Sequence, residues 1–370
     1  MKGESSTVFR TDYRASAQRN LFHKIDDLLL KAGLPAKFKR GHLVAVKLHF
    51  GEKGNTAYIR PVIVRHIVDM LKQTGAAPFL TDTNTLYVGE RTNSVSHIER
   101  AVRNGFDFAV AGAPVIIADG LRGESSVRVT VGGRHLQEVS IAREIVSANG
   151  LVVLSHFKCH ELTGFGGALK NVGMGCASRD GKLAQHSQCA PRVNPERCTA
   201  CGECVLYCSV GAITVEGKAF IDEALCTGCS HCIAVCPEGT IKVEWNESAS
   251  KVQEKMIEHC EGVLRGKEGK TLFVNFINQV SPLCDCYGHT DFPIVPDVGI
   301  LASTDPVALD QASVDLVNDQ EGYGNSALLS GHERGGDKFR GVHPAIDWEV
   351  QLDYGEERGL GWRRYRLEEV

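Results

Sequence analysis

Cys198, Cys201, Cys204 and Cys208 share one spacing, C-x2-C-x2-C-x3-C, with Cys226, Cys229, Cys232 and Cys236, at an offset of 28 residues. Each run leads into a short stretch, Val210–Val215 and Glu238–Val243, so each half reads as a ligand loop, a short helical turn and a strand. The chemistry this spacing serves is metal binding. A tight loop points three thiolates and several backbone N–H groups at one centre, and the N–H groups help hold its negative charge. Ten of the 14 cysteines lie between Cys176 and Cys236, a clustering unlike the even spread of a disulfide framework. Zinc sites commonly pair C-x2-4-C units across a longer gap, and rarely use four close cysteines twice in tandem.

The spacing resembles the bacterial two-cluster ferredoxin, where three cysteines of one run and the fourth of the other bind each cube. The resemblance implies two [4Fe–4S] clusters. One would be held by Cys198, Cys201, Cys204 and Cys236, the other by Cys226, Cys229, Cys232 and Cys208. Pro237 follows the second run as that family prefers, whereas Ser209 stands where the first run would carry proline. That departure touches loop rigidity and leaves the ligand count intact.

Outside these runs the densest polar chemistry lies between Leu151 and Asn171. An apolar strand stops at Ser155, and His156, Lys158, Cys159 and His160 follow at once. A glycine-rich loop, Thr163-Gly-Phe-Gly-Gly167 with Gly164, Gly166 and Gly167, then opens a helix carrying Lys170 and Asn171. In open α/β sheets ligands sit beyond the carboxyl ends of strands, where loop N–H groups and helix N-termini favour anions. Lys158, Lys170 and the loop would suit a carboxylate or phosphate, and His156 or His160 would supply protons near neutral pH. The plainer alternative is a glycine-rich turn with solvated lysines.

Other strand ends add candidates. Lys47 and His49 alternate along an extended segment and would project on one face, and Asp82 and Asn84 follow another strand, where an Asx turn also accounts for them. Asp305 reads as a helix N-cap before Pro306 and as a further substrate-binding candidate, with Asp310 solvated on the same helix. Among the remaining cysteines, Cys260 falls on the apolar stripe of its helix. Cys159, Cys176, Cys284 and Cys286 form a candidate third metal site, with Cys189 or a histidine as substitute ligand. The alternatives to that metal site are a redox-active dithiol or unrelated buried thiols.

The elements that must position these residues alternate strand and helix. Strands are expected over Leu43–Phe50, Ala77–Thr81, Phe108–Ile117, Leu151–Ser155, Thr271–Ile277 and Val298–Ala302, and helices over Pro61–Gln73, Ser94–Asn104, Ser250–Leu264 and Pro306–Val317. Ser126–Val131 and Leu136–Ile141 flank Gly132-Gly133 as a hairpin, and Gln185–Arg197 has linker composition. The fold class is α/β: a mixed or mostly parallel sheet flanked by helices, with an inserted ferredoxin-like two-cluster α+β module. Residues 1–190 and 247–370 form the two parts of the α/β domain and 191–246 the module. The flanks resemble the domain-of-unknown-function family 362. The matching residues are Lys47-Leu-His49-Phe-Gly51, Asp82-Thr-Asn84-Thr-Leu-Tyr87, His156-Phe-Lys158-Cys-His160, Gly167-Ala-Leu-Lys170-Asn171 and Ser303-Thr-Asp305-Pro-Val-Ala308-Leu-Asp310. Members of that family often carry ferredoxin-type clusters, and the family name implies no settled activity.

Composition narrows the partners. The chain has 370 residues, 43% hydrophobic and 23% charged, with a net charge of −4, which excludes a disordered or fibrous class. The near-neutral balance gives no electrostatic reason for a nucleic acid or an anionic membrane. No apolar run approaches the ~20 residues a bilayer needs, and Met1–Ser16 lacks the apolar core of a signal peptide. A cytoplasmic protein is expected. The reading is an iron–sulfur oxidoreductase passing single electrons from a redox partner protein to a small anionic substrate or further metal site in the α/β cleft. The alternative is a non-catalytic electron-transfer subunit or metallocofactor assembly protein that docks a partner. No full dinucleotide fingerprint is present.

Overall fold

The computed structural model describes residues 5–87 and 89–370. Its centre is an eight-stranded sheet. In chain order the strands are β1 (Ser6–Thr11), β2 (Leu43–Lys47), β3 (Ala77–Asp82), β4 (Val115–Ile117), β5 (Gly150–His156), β6 (Thr271–Ile277), β7 (Gly299–Ser303) and β8 (Tyr365–Glu369). They lie in the order β8-β1-β7-β6-β5-β2-β3-β4. Only β7 is reversed, antiparallel to β1 and β6, and every other pair is parallel. Helices cover both faces, so the central strands are buried on both sides and read as continuous apolar runs. Leu151 and Val153 of β5 join the core under helices Ala168–Gly173, Ala249–Leu264 and Pro306–Asn318. Val152 and Leu154 join the opposite core with Ile63, Val64 and Ile67 of helix Pro61–Gln73. The helices following β2 and β5 thus sit on opposite faces, and these adjacent strands meet at a topological switch point, where open sheets leave a crevice.

The cysteine runs lie between β5 and β6, which are nearest neighbours with Leu151 opposite Thr271 and His156 opposite Phe276. Within 191–246, Arg192–Val193 pairs with Ile241–Lys242 and Ile213–Glu216 pairs with Lys218–Ile221, both antiparallel. Helical turns Glu203–Leu206 and His231–Val235 follow the two ligand loops. Ile213, Cys232, Ile233 and Ile241 form an apolar cluster with Leu86 and Leu183 of the main body. Among the described residues no helix is long and apolar enough to cross a membrane.

Helix Pro61–Gln73 and strand Thr271–Ile277 have the expected bounds, and four segments differ from expectation. Phe108–Ile117 is not one strand. Asp107 caps a helical turn over Phe108–Ala111, its side chain accepting from Val110 N, and Gly112 ends that turn at φ +75° before β4 begins. The strand expected over Leu43–Phe50 ends at Lys47. The glycine-rich segment is no open loop, because Gly164–Gly166 pairs antiparallel with Lys158–His160 as a hairpin. Gln185, placed in a linker by composition, is buried in helix Arg179–His186 and donates to Gly173 O at 3.0 Å.

Asp310 is buried rather than solvated and ties three elements together. Its carboxylate accepts from Ala168 N at 2.8 Å, Leu169 N at 2.9 Å and Asn275 Nδ2 at 2.7 Å. Burial holds its carboxyl up, at about 6. A Cβ on Gly167 would fall 2.2 Å from Asp310 Oδ1, so only glycine lets the helix start this close. Asp310→Ala should cost about 3 kcal/mol, at roughly 1 kcal/mol for each buried donor left without a partner. Urea unfolding would show this as a lower midpoint at unchanged slope.

Candidate functional site: two thiol rings beside a cationic cleft

Two hollows in the cysteine segment are ringed by thiols. Cys198, Cys201, Cys204 and Cys236 line one, and Cys226, Cys229, Cys232 and Cys208 line the other. Left-handed residues at matching places turn the loops inward: Ala200 and Gly202 in the first, Gly228 and Ser230 in the second. Backbone N–H groups donate to the sulfurs, Ala212 N to Cys208 at 3.2 Å, Thr240 N to Cys236 at 3.4 Å and Ala219 N to Cys198 at 3.4 Å. The first two are again related by the 28-residue offset. Burial and the neighbouring thiols Cys229 and Cys226 push the Cys232 thiol up to about 12. The donor set of four sulfurs per hollow, with N–H groups behind them, would suit an iron–sulfur cube.

A cleft of about 600 Å³ opens at the carboxyl ends of β2, β3 and β5. Lys47, His49, Asp82, His156, Lys158, His160, Gly166, Gly167, Lys170 and Asn171 all line it, together with Cys284 and Cys286 from the loop after β6. Its cations are not equivalent. Lys47 Nζ is 3.0 Å from Asp82 Oδ1 and donates to Asn171 Oδ1 at 2.7 Å. Arg91 pairs with Glu52 at 3.1 Å and Asp82 at 3.4 Å, and Lys158 with Asp285 at 3.2 Å. Burial pushes Asp82 up, but Lys47, His97, His49 and Arg91 around it hold its carboxyl below the usual range.

Lys170 and Lys182 are the two cleft lysines without a carboxylate partner among the described residues. Lys170 Nζ donates to Cys284 Sγ at 3.4 Å. Burial alone would lower it, and the thiols Cys284 and Cys286 with Glu161 raise it above the ordinary lysine value. Lys182 donates to Ala177 O at 2.6 Å and to Thr83 Oγ1, and burial brings it down to about 8. Burial also takes His49 down to about 3. His49 Nδ1 accepts from Gly51 N at 2.9 Å, so the neutral ring carries its proton on Nε2, a buried atom with no protein partner.

The two histidines read as proton donors differ. His156 is fully engaged, Nδ1 3.0 Å from both Asp285 oxygens and Nε2 2.8 Å from Asn278 O. His160 Nδ1 accepts from Leu162 N at 3.1 Å and Thr163 N at 3.3 Å, which leaves Nε2 as the N–H, 3.8 Å from Glu161 Oε2, with the ring facing Cys284. Cys284 lies well below the ordinary thiol value because the Cys286 thiol hydrogen-bonds it and Lys170 and His160 face it.

Several expected residues lie elsewhere. Asn84 is absent from the cleft wall: its side chain binds Asp119 Oδ1 at 2.9 Å and Gly120 O at 2.8 Å. Asp305 is a structural cap, accepting from Ala308 N, Trp362 N and Ser6 Oγ. Gly164 faces Trp348, whose Cβ would lie 2.4 Å from an added Cβ. The four thiols grouped as a third metal site separate, since Cys159 and Cys176 are packed in the apolar core while Cys284 and Cys286 face the cleft. Lys182, Arg91 and Asp285 were missed. Lys182 and His186, four apart on one helix and both lining the cleft, carried a readable signal. Asp285 gave none, because its partner His156 is 129 residues away.

No curated protein matches the chain. Among solved structures, the lactate racemase apoprotein from Thermoanaerobacterium thermosaccharolyticum is similar at 11% identity and a TM-score of 0.42, over 99% of this chain and 83% of that one. A Thermotoga maritima protein from a structural genomics consortium is similar at 11% identity and a TM-score of 0.41, over 93% of this chain and 61% of that one. The family described as Domain of unknown function (DUF362) matches residues 44–315, both flanks and the cysteine runs between them, and the chain belongs to that family.

Proposed function

We propose that the chain is an iron–sulfur oxidoreductase that reduces a small anionic substrate in the cleft. Cys198, Cys201, Cys204 and Cys236 would hold one [4Fe–4S] cluster, and Cys226, Cys229, Cys232 and Cys208 the other. When bound, the clusters would supply single electrons received from a redox partner protein. Residues 191–246 act in this reading as a ferredoxin module set into one α/β domain. One observation carries it: Cys232 of the second ring packs in one apolar cluster with Leu86, which also walls the cleft, and with Leu183, whose helix neighbour Lys182 does the same. Lys170 and Lys182 bind the anion, His49 Nε2–H donates a hydrogen bond to it, and His160 delivers protons.

Oxalate, as a small dianionic probe, should shift the electron paramagnetic resonance signal of dithionite-reduced protein. Lys182 carries charge only below about 8, with Asp119 and Asp82 raising it and Lys47 and Arg179 lowering it. The oxalate affinity should therefore fall as pH rises through about 8, by up to about tenfold per unit, and Lys182→Arg should remove that fall. Reduced protein with no paramagnetic signal, or a signal indifferent to oxalate at every pH, would sink the reading.

A further inference from the structure

Cys284 sits in a pocket built for a sulfur anion. Lys170 Nζ donates to its Sγ at 3.4 Å and Cys286 N–H at 3.5 Å, with His160 and the Cys286 side chain on the same cleft wall. The loop closes into a turn, Tyr287 N donating to Cys284 O at 3.1 Å, which gathers both thiols on the cleft side. Lys170 already faces that sulfur, Cys159 and Cys176 are packed in the apolar core, and among the described residues no group of three or more His, Cys, Asp or Glu side chains is gathered to hold a metal ion. A buried lysine against a thiolate beside a second thiol is instead the arrangement of a nucleophile and its resolving partner.

We propose that Cys284 and Cys286 are a redox-active dithiol and that the substrate is an anionic organic disulfide. This deepens the proposed function and rests on it for the electron supply, though not for the thiol chemistry. The Cys284 thiolate attacks one sulfur of R–S–S–R′. A bond forms between Cys284 Sγ and that sulfur, the substrate S–S bond breaks, and R′S⁻ leaves, taking a proton from His160. The Cys286 thiol gives up its proton and attacks Cys284 Sγ of the mixed disulfide, RSH leaves, and a Cys284–Cys286 disulfide forms. Two electrons, supplied singly by a donor protein, and one proton return that disulfide to thiolate and thiol, and a second proton restores His160. The sum is R–S–S–R′ plus two electrons and two protons giving RSH and R′SH. Lys182 takes the negative charge of the substrate, and Tyr87, Tyr287 and Trp245 line the cleft for its organic part.

The test uses anaerobically purified, cluster-loaded protein with glutathione disulfide as the anionic probe. Wild type should release about two glutathione thiols per chain and lose the two thiols that map to Cys284 and Cys286. Cys286→Ser should stop after about one thiol and keep glutathione bound at Cys284, and Cys284→Ser should release none. Cystamine, a cationic disulfide, should react at least about tenfold more slowly, and Lys182→Ala should erase that preference. Reaction of Cys284→Ser at the wild-type rate, mapping to other cysteines, or iron lost from a Cys284→Ser/Cys286→Ser protein would overturn the proposal. Its electron supply is read separately, by adding dithionite to the oxidised protein with Cys226→Ala as the control. If dithiol chemistry holds but dithionite restores the thiols no faster than in Cys226→Ala, the iron–sulfur reading fails and the thiol site stands.

Discussion

Cys208→Ala should lower the iron content from about eight to about four per chain. The cube lost should be the one facing Cys226, Cys229 and Cys232, although Cys208 belongs to the first run in sequence. The geometry behind this is the crossing of fourth cysteines, Cys208 into the second hollow and Cys236 into the first. Double substitutions make the crossing measurable. Cys208→Ala with Cys226→Ala removes two ligands of one ring and should still leave about four iron, whereas Cys208→Ala with Cys198→Ala damages both rings and should leave almost none. If each run held its own cube, these two results would be exchanged.

Asp285→Ala should destabilise the protein by about 3–5 kcal/mol, the usual cost of removing one partner from a buried charged group. Asp285 is fully buried, 3.0 Å from His156 Nδ1 and 3.2 Å from Lys158 Nζ, and alanine would leave both without their counter-charge. It also sits between Cys284 and Cys286, so its contacts fix the loop that carries both thiols. Burial pushes its carboxyl up, but His156 and Lys158 outweigh this and hold it below the usual range. With a depressed native pKa, the stabilisation is present at neutral pH and is lost only as pH falls below the ordinary carboxylate value. Asp285→Asn, which keeps one acceptor for His156, should lose less. Denaturant midpoints of the three proteins measured side by side test the ranking.

Much of the fold was legible because its strands are short apolar runs punctuated by glycine and proline. Pro61 at the start and Gly75 past the end bracket one helix, and Thr271–Ile277 follows a charged, glycine-containing turn and runs to Asn278. Phe108–Ile117 misled because β-branched and aromatic residues there favour a strand, while the deciding features were Asp107 as a cap and Gly112 in a left-handed turn. At the cleft, residue type and position after a strand picked out Lys47, His49, His156, Lys158, His160 and Lys170. Their standing depends on distant partners. Asp285 neutralises Lys158 from 127 residues away, whereas Lys182 has no carboxylate in ion-pair contact among the described residues, so the proposed anion site moves from the first lysine to the second. Asn84, Asp305 and Asp310 have the chemistry of site residues but bind backbone groups of other elements, which no local pattern encodes.

The most direct test of the central claim is the iron, acid-labile sulfide and zinc content of wild-type protein purified without oxygen. The two thiol rings predict about eight iron and about eight sulfide per chain, with little zinc. About two zinc per chain and no labile sulfide would contradict the account, leaving the rings as structural metal sites with no electrons to deliver.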